Sequence, residues 1–462
     1  MKKILLTAVS ALALTTVAHA NNSTSSITQT NTNNVANVDQ AAANTGGAST
    51  INQSGATNYA EVKQKDDGTG AAPVQTSAVT QSGSNNSAIV HQTLQTSYNY
   101  PPSTKNASTV LQAGNNNVAS LTQNDDGQAS TIQQDSSDNK ATVTQGVANS
   151  PGFGSTYENR STVYQGGTGS HEATVSQTGH SNLSDISQIG FNQQTDVNQS
   201  GNNNTAGVAQ SGNDNTSWTT QVGNGNTAYT TQGGVKGSTS TIDQLGNNNS
   251  ASVNQTDDGD GFSPPLNRST ITQSGNGNIA SVDQNAQTFI VPNVSKVNQS
   301  GNNSGVSVAQ KDDWQYSEIN QSANNSSASV VQGVTQIGGS DNSWGNTSYV
   351  TQSGSNQVAY VQQINRSSYS DVNQSGSLNS ATVLQSGYSS NSDLDQTGTG
   401  NNAFVNQYGT NNDAVTYQSG NYNASTILQG GQDNYANVSQ TTSFNNSFID
   451  QTGVHNSAVV AQ

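Results

Sequence analysis

From Gln352 onward glutamine returns at every eleventh position: Gln352, Gln363, Gln374, Gln385, Gln396, Gln407, Gln418, Gln429, Gln440, Gln451 and Gln462. Two residues before almost every one stands an aliphatic residue, as in Val350, Val361, Val372 and Val383, and four before stands Ser or Ala. Side chains two apart on an extended chain share a face, so the phrase reads as a short strand and the Gly/Asn-rich link as a turn. A fixed period makes the chain a repeat architecture in which each unit buries its apolar face against its neighbours. Function is then expected to be a property of the array.

The phrase occurs 36 times, from Ser25–Gln29 to Ala458–Gln462, and the position two before Gln is aliphatic in 33 of them. Thr219, Thr230 and Thr416 fill that place in the others and keep β-branching. Intervening positions carry Glu61, Lys63, Asp196, Asp243, Lys296, Glu318, Asp371 and Asp450, as a solvated face would. That partition fixes the strand register, because a slip of one residue would turn every side chain over. The small position alternates Ser25, Ala36, Ser49, Ala60, Ser77, Ala88, so the unit is a pair of strands of 22 residues. The expected fold is all-β, a two-sheet β-solenoid of about 18 rungs with two strands per rung, the strands stacking at about 4.8 Å.

Links within a pair place Gly two after Gln, at Gly83, Gly223, Gly275, Gly354 and Gly376 among others. These glycines are expected to supply positive φ at the strand-to-strand corners. Links between pairs carry insertions near 65–76, 93–107, 146–160, 256–268, 285–294 and 333–347, and all seven prolines lie in them. Proline cannot donate to a strand ladder, so its confinement to the insertions agrees with the strand assignment. The Ser/Ala alternation slips twice: Ser184 is followed by Thr195, and Ala403 by Ala414. Between the slips the Ser and Ala strands should exchange sheets, sending the insertions of the two halves to opposite edges.

Residues 1–20 have the form of a secretory signal: Lys2 and Lys3, an apolar run, then Ala18-His19-Ala20, with cleavage after Ala20. The remaining 21–462 reads as a single solenoid. Without Lys2 and Lys3 the formal charge moves from −16 to −18, which argues against a nucleic-acid partner. No stretch is apolar enough to be transmembrane. The chain has no Cys, so disulfides, thiolate metal sites and a cysteine nucleophile are excluded. Only 29% of residues are hydrophobic, a composition that usually means disorder, but disorder has no need of a register. A Gln on the inward face is tolerable when stacked at the strand spacing, each amide donating to one neighbour and accepting from the other.

Ser77–Gln92 (SAVTQSGSNNSAIVHQ) and Ser269–Gln284 (STITQSGNGNIASVDQ) follow S-x-x-x-Q-x-G-x-x-N-x-A-x-x-x-Q. This pattern resembles the curlin repeat of bacterial curli fibre subunits, and it covers essentially the whole chain after the signal. The resemblance implies a solenoid that polymerises into a secreted, cell-surface amyloid fibre (a fimbrium) serving adhesion and the biofilm matrix. It implies as partners further copies of the chain, a nucleator, an outer-membrane secretion pore, and host or abiotic surfaces. The chain departs from that family in its number of rungs, in its Pro-containing insertions, and in repeats that begin almost at the cleavage site.

No nucleophile motif, convergent carboxylate pair or phosphate loop is present, so the chain is not expected to be an enzyme or to hold a cofactor. His91, His171, His180 and His455 lack metal-ligand spacing and read as solvated turn residues. Asp66-Asp67, Asp125-Asp126, Asp257-Asp258 and Asp312-Asp313 read as plain turns, the functional alternatives being repulsive charge that slows self-association or weak calcium binding, for which Asp257, Asp258 and Asp260 are the candidate. The expected function is a structural fibre subunit growing by strand templating at open solenoid ends, neither of which carries a polar cap. The alternatives are a monomeric solenoid adhesin or other surface-binding scaffold, and a fibre nucleator.

Overall fold

Val and Ile at the inward positions, flanked by Ser, Thr and Asn, favour the extended backbone, and the corners lack any helix-forming run. In the computed structural model the described residues are 23–40, 43, 46–66, 75–94, 105–125, 127–146, 158–234, 237–257, 267–286, 292–333 and 345–462. They contain 36 strands, β1 to β36 in chain order, and no helix. Odd-numbered strands form one parallel sheet and even-numbered strands the other, 18 in each. Successive strands thus alternate between the sheets of a two-strand rung, and each strand is the crossover that parallel pairing in the other sheet requires. The signal segment and cleavage at Ala20 lie outside the described residues, as does the bulk of every insertion.

Register is like on like. Between β26 (Thr347–Ser355) and β28 (Tyr369–Ser377), Ser348 pairs with Ser370, Val350 with Val372 and Gln352 with Gln374. Between β27 (Val358–Gln363) and β29 (Ser380–Gln385), Ala359 pairs with Ala381, Val361 with Val383 and Gln363 with Gln385. All of these side chains are buried, and the intervening ones are partly or fully exposed. The inward serines make no hydrogen bond through Oγ at Ser348, Ser370 or Ser392, so they serve there as small residues.

The strands fall into two compact units, one ending at Ala209 and one running from Gln210 to Gln462. The first buries Ile51, Val62, Val79, Val90 and their equivalents up to Val208. The second buries a longer file from Ala228 and Ile242 to Ile449. In the first unit odd strands carry Ser (Ser49, Ser77, Ser108) and even strands Ala (Ala60, Ala88, Ala119). In the second the odd strands begin with Ala228, Ala251 and Ala280 and the even ones with Ser240, Ser269 and Ser295. Thr195 stands opposite Ala173 at the first slip, and Ser392 opposite Ala414 and Ala403 opposite Ser425 at the second. The insertions follow even strands in the first unit and odd strands in the second.

The corner glycines need correction. Gly223, Gly354 and Gly376 do have positive φ (118°, 111° and 97°), but Gly83 and Gly275 do not. A Cβ on Gly83 would lie 1.8 Å from the Gly114 carbonyl oxygen of the next rung, and one on Gly275 would lie 1.7 Å from that of Gly301. Close approach of stacked backbones is the requirement common to these corners. Left-handed φ falls there on the residue two further on, Asn85 (58°) after Gly83 and Gly277 (66°) after Gly275, and beside Gly376 even Leu378 (58°) adopts it.

Val372, fully buried in β28, tests the facing. Val372→Asp should destabilise the fold by at least about 3 kcal/mol in chemical denaturation, since it buries a carboxylate with no partner built for it. Asp371→Asn, one residue away on the outer face, should be neutral or mildly stabilising.

Candidate functional site

Within each unit the inward glutamines of each sheet form an amide ladder. Gln352 Nε2 donates to Gln374 Oε1 at 2.8 Å, Gln374 to Gln396 at 2.8 Å, Gln363 to Gln385 at 2.8 Å and Gln385 to Gln407 at 2.9 Å. The first unit repeats this at Gln112 to Gln134 (2.8 Å) and Gln145 to Gln177 (2.8 Å). The second amide hydrogen crosses the core to the facing sheet, to the carbonyl of the first residue of the preceding strand. Gln352 reaches Ser327 at 3.0 Å, Gln363 reaches Thr347 at 3.0 Å, Gln374 reaches Val358 at 3.0 Å and Gln385 reaches Tyr369 at 2.9 Å. Each buried amide thus uses both hydrogens and its oxygen, and it joins the sheets as well as the rungs. The phrase in the sequence gives the first of these bonds and hides the second.

A second ladder runs through the corners and was not foreseen. The Asn two before the small residue is buried: Asn401 N–H donates to Asn379 Oδ1 (3.0 Å), and Asn423 N–H to Asn401 Oδ1 (3.0 Å). Asn401 Nδ2 donates onward to the Gly420 carbonyl at 3.0 Å. The signal was the fixed place of Asn in the repeat, which turn propensity alone would not demand. His171 is a corner residue but not a solvated one. It is buried in an Asn position, its N–H on Asn139 Oδ1 (3.0 Å), Nε2 donating to the Gly166 carbonyl (2.8 Å) and Nδ1 accepting from Gln193 N–H (3.3 Å). Desolvation by that burial holds its pKa below the ordinary histidine value, as suits a neutral ring in this ladder.

The Asp-Asp turns also differ from expectation, since Asp66, Asp125, Asp312 and Asp313 are buried in the corners. Asp67 and Asp126, the second residues of two of these turns, lie outside the described residues. Of the calcium candidate, Asp257 ends β19 (Ser250–Asp257), and Asp258 and Asp260 lie outside the described residues. Among the described residues no group of His, Asp and Glu is arranged to hold a metal ion. The first unit's odd sheet has a shallow trough lined by Thr24, Ser26, Thr50, Thr76 and Thr109, which offers small hydroxyls and methyls alone.

Charge gathers on the outer face of the even sheet. Lys296 Nζ lies 3.1 Å from the Tyr316 hydroxyl, which donates to Glu318 at 2.6 Å, and the rings of Tyr316, Tyr349 and Tyr369 follow at 5.6 and 5.9 Å. Beyond them Asp371 pairs with Asp393 across adjacent strands. Burial chiefly, then Asp393 and Asp395, raise the Asp371 pKa; burial, then Asp395 and Asp413, raise that of Asp393. Glu61, held by Lys63, Tyr59 and His91, is instead pulled down to about 2.

The curlin associated repeat matches this chain over residues 366–398 and 409–441. Both stretches carry the inward Gln and corner Asn just described. No curated protein matches the chain.

Gln374→Ala would leave a donor on Gln352 and an acceptor on Gln396 unpartnered, and at about 1–3 kcal/mol for each buried orphan it should lower unfolding stability by roughly 2–6 kcal/mol. Asn373→Ala on the outer face should change it by no more than about 0.5 kcal/mol. A carboxyl whose folded pKa is raised opposes folding above that pKa, so stability should rise as pH falls from neutrality through the raised values of Asp371 and Asp393 toward 3.8. The Glu61 contribution has the opposite sign: it is complete above 4.5 and is lost as pH falls through about 2. Asp393→Asn should flatten the rise, as read by thermal unfolding across pH 7 to 4.

Proposed function

We propose that this chain is a structural subunit of an extracellular, curli-like amyloid fibre that grows by strand templating and serves adhesion and the biofilm matrix. The observation that carries the reading is the direction of the amide ladder. Within each unit the inward glutamines donate to the rung that follows in the chain and accept from the rung before, as at Gln321, Gln352 and Gln374. At the last strands, β35 (Asn446–Gln451) and β36 (Ser457–Ala461), Gln451 and Gln462 accept from Gln429 and Gln440 and donate across to Tyr435 and Asn446. One hydrogen on each is left to give. At the first strands, β1 (Thr24–Thr30) and β2 (Val35–Asp39), Gln29 and Gln40 donate to Gln53 and Gln64, and among the described residues their oxygens remain to accept. The two end rungs are therefore complementary, donor to acceptor.

Among the described residues these end strands have a sheet neighbour on one side only, β3 (Gly47–Ser54) and β4 (Tyr59–Asp66) at one end, β33 (Ala424–Gln429) and β34 (Tyr435–Gln440) at the other. An unpaired strand edge is a template for another chain. Phe448 and Val459 are 65% and 66% exposed on the last pair of strands. In-register parallel strands bearing amide ladders are the geometry of cross-β assemblies. The reading includes export under the signal segment with cleavage after Ala20, a surface-bound fibre, and strand glutamines and corner glycines that make the growing end.

The mature chain should form fibres with reflections near 4.8 Å and about 10 Å. Sonicated fibres should abolish the lag when added to fresh protein. A chain that stays monomeric at high concentration, seeded or not, overturns the reading in favour of a monomeric adhesin.

A further inference from the structure

On the odd sheet of the second unit the outer face between β25 (Ser327–Gln332) and β33 carries no charged residue, in a chain of formal charge −16. Its large apolar side chains do not form a plain stripe. Of the two outward positions that flank the inward aliphatic, Tyr360 fills the first on β27, Leu384 the second on β29, Phe404 the first on β31 (Asn402–Gln407), Leu428 the second on β33 and Phe448 the first on β35. Thr382 and Thr426 stand in register with Phe404 on either side, and Asn406 stands between Leu384 and Leu428. The surface is a checkerboard of large apolar knobs and small polar hollows with a period of two rungs.

The even strands of the same rungs carry Asp371, Asp393, Asp395 and Asp413 outward. Another acidic chain is repelled from that side.

We propose that the checkerboard is a docking surface for a second copy of this chain, laid face to face, antiparallel and one rung out of step. The offset drops each aromatic knob over a threonine of the other copy, Phe404 over Thr382 or Thr426, and a twofold axis then closes the contact on itself. A flat stack of identical faces in step would set knob on knob. A charged partner finds no counter-charge on this face, whereas a second copy brings the matching hollows. Five strands at about 4.8 Å and a strand length of about 20 Å give roughly 500 Å² per copy, so two copies bury about 1,000 Å², the size of a weak, reversible contact. The contact is side by side and depends on the fold alone; end-to-end growth neither requires it nor produces it.

The absence of Cys gives a direct test. Single cysteines are introduced into the full mature chain as Thr382→Cys and Thr426→Cys on the odd sheet, and as Asn373→Cys and Asn437→Cys on the even sheet. A bis-maleimide cross-linker with a spacer of about 10 Å, matched to the spacing of facing sheets, is applied and the product is run on a denaturing gel. One of the two threonine positions lies beside the twofold axis and should yield a covalent dimer, and the even-sheet positions should not. Adding Phe404→Asp, or the milder Leu428→Asn, to the cross-linking variant should abolish the dimer while the strand signal in circular dichroism persists. End-to-end stacking alone keeps equivalent residues many rungs apart and gives no dimer at any position. That result overturns the proposal even where fibres form, as do equal yields on the two sheets or a yield untouched by both outer-face changes.

Discussion

The amide-to-amide hydrogen bond between inward glutamines sets the conditions for everything else in this molecule. A primary amide inside a protein is costly unless both hydrogens and the oxygen find partners. Here the partners are the next rung, the previous rung and the facing sheet, and all three exist only if the strands are parallel, in register and stacked two to a rung. Gln352 illustrates the accounting, with Gln321, Gln374 and Ser327 as its partners. A shift of one residue would break this set and turn Val350 to solvent at once. A core with few apolar atoms therefore still specifies one arrangement, because the alternatives strand buried polar groups.

The corners obey the same rule with different parts. Asn379, Asn401 and Asn423 tie one turn to the next, and Gly83 and Gly275 let the backbones meet where a Cβ would collide. Substitution is allowed where the hydrogen-bonding capacity survives. Ser304 takes the Asn place with its N–H on Asn278, and His171 does so by offering one ring nitrogen as acceptor and the other as donor. Long insertions are tolerated at other corners because only the strands and the two ladders need to match between rungs.

A structure built this way has little use for an enclosed site, and its functional surfaces are extended ones. The end rungs differ in sign of hydrogen bonding, and in the second unit the two sheet faces differ in charge. That division gives the molecule directions: along the ladder, where the proposed growth would have a polarity, and across it, where one face of the second unit is acidic and the other uncharged.

Much of this was legible in the residues. The two-residue alternation around Gln352, Val350 and Ser348 gave the strands, their facing and the stacking of like on like, because side-chain direction on an extended chain is local. The slips at Thr195 and Ala414 gave the exchange of Ser and Ala between odd and even strands for the same reason. What only the tertiary structure decided concerns atoms that meet across the core or between turns. Which carbonyl takes the second Gln hydrogen depends on how one sheet lies over the other, so Ser327 could not be named from the repeat. The buried corner Asn, the burial of His171, Asp66 and Asp312, and the steric need for Gly83 all depend on the turn stacked on the next rung, often more than twenty residues away. Period and facing are properties of one strand, and the sequence determines them by itself; the ladders belong to neighbouring rungs and exist only once the chain has stacked.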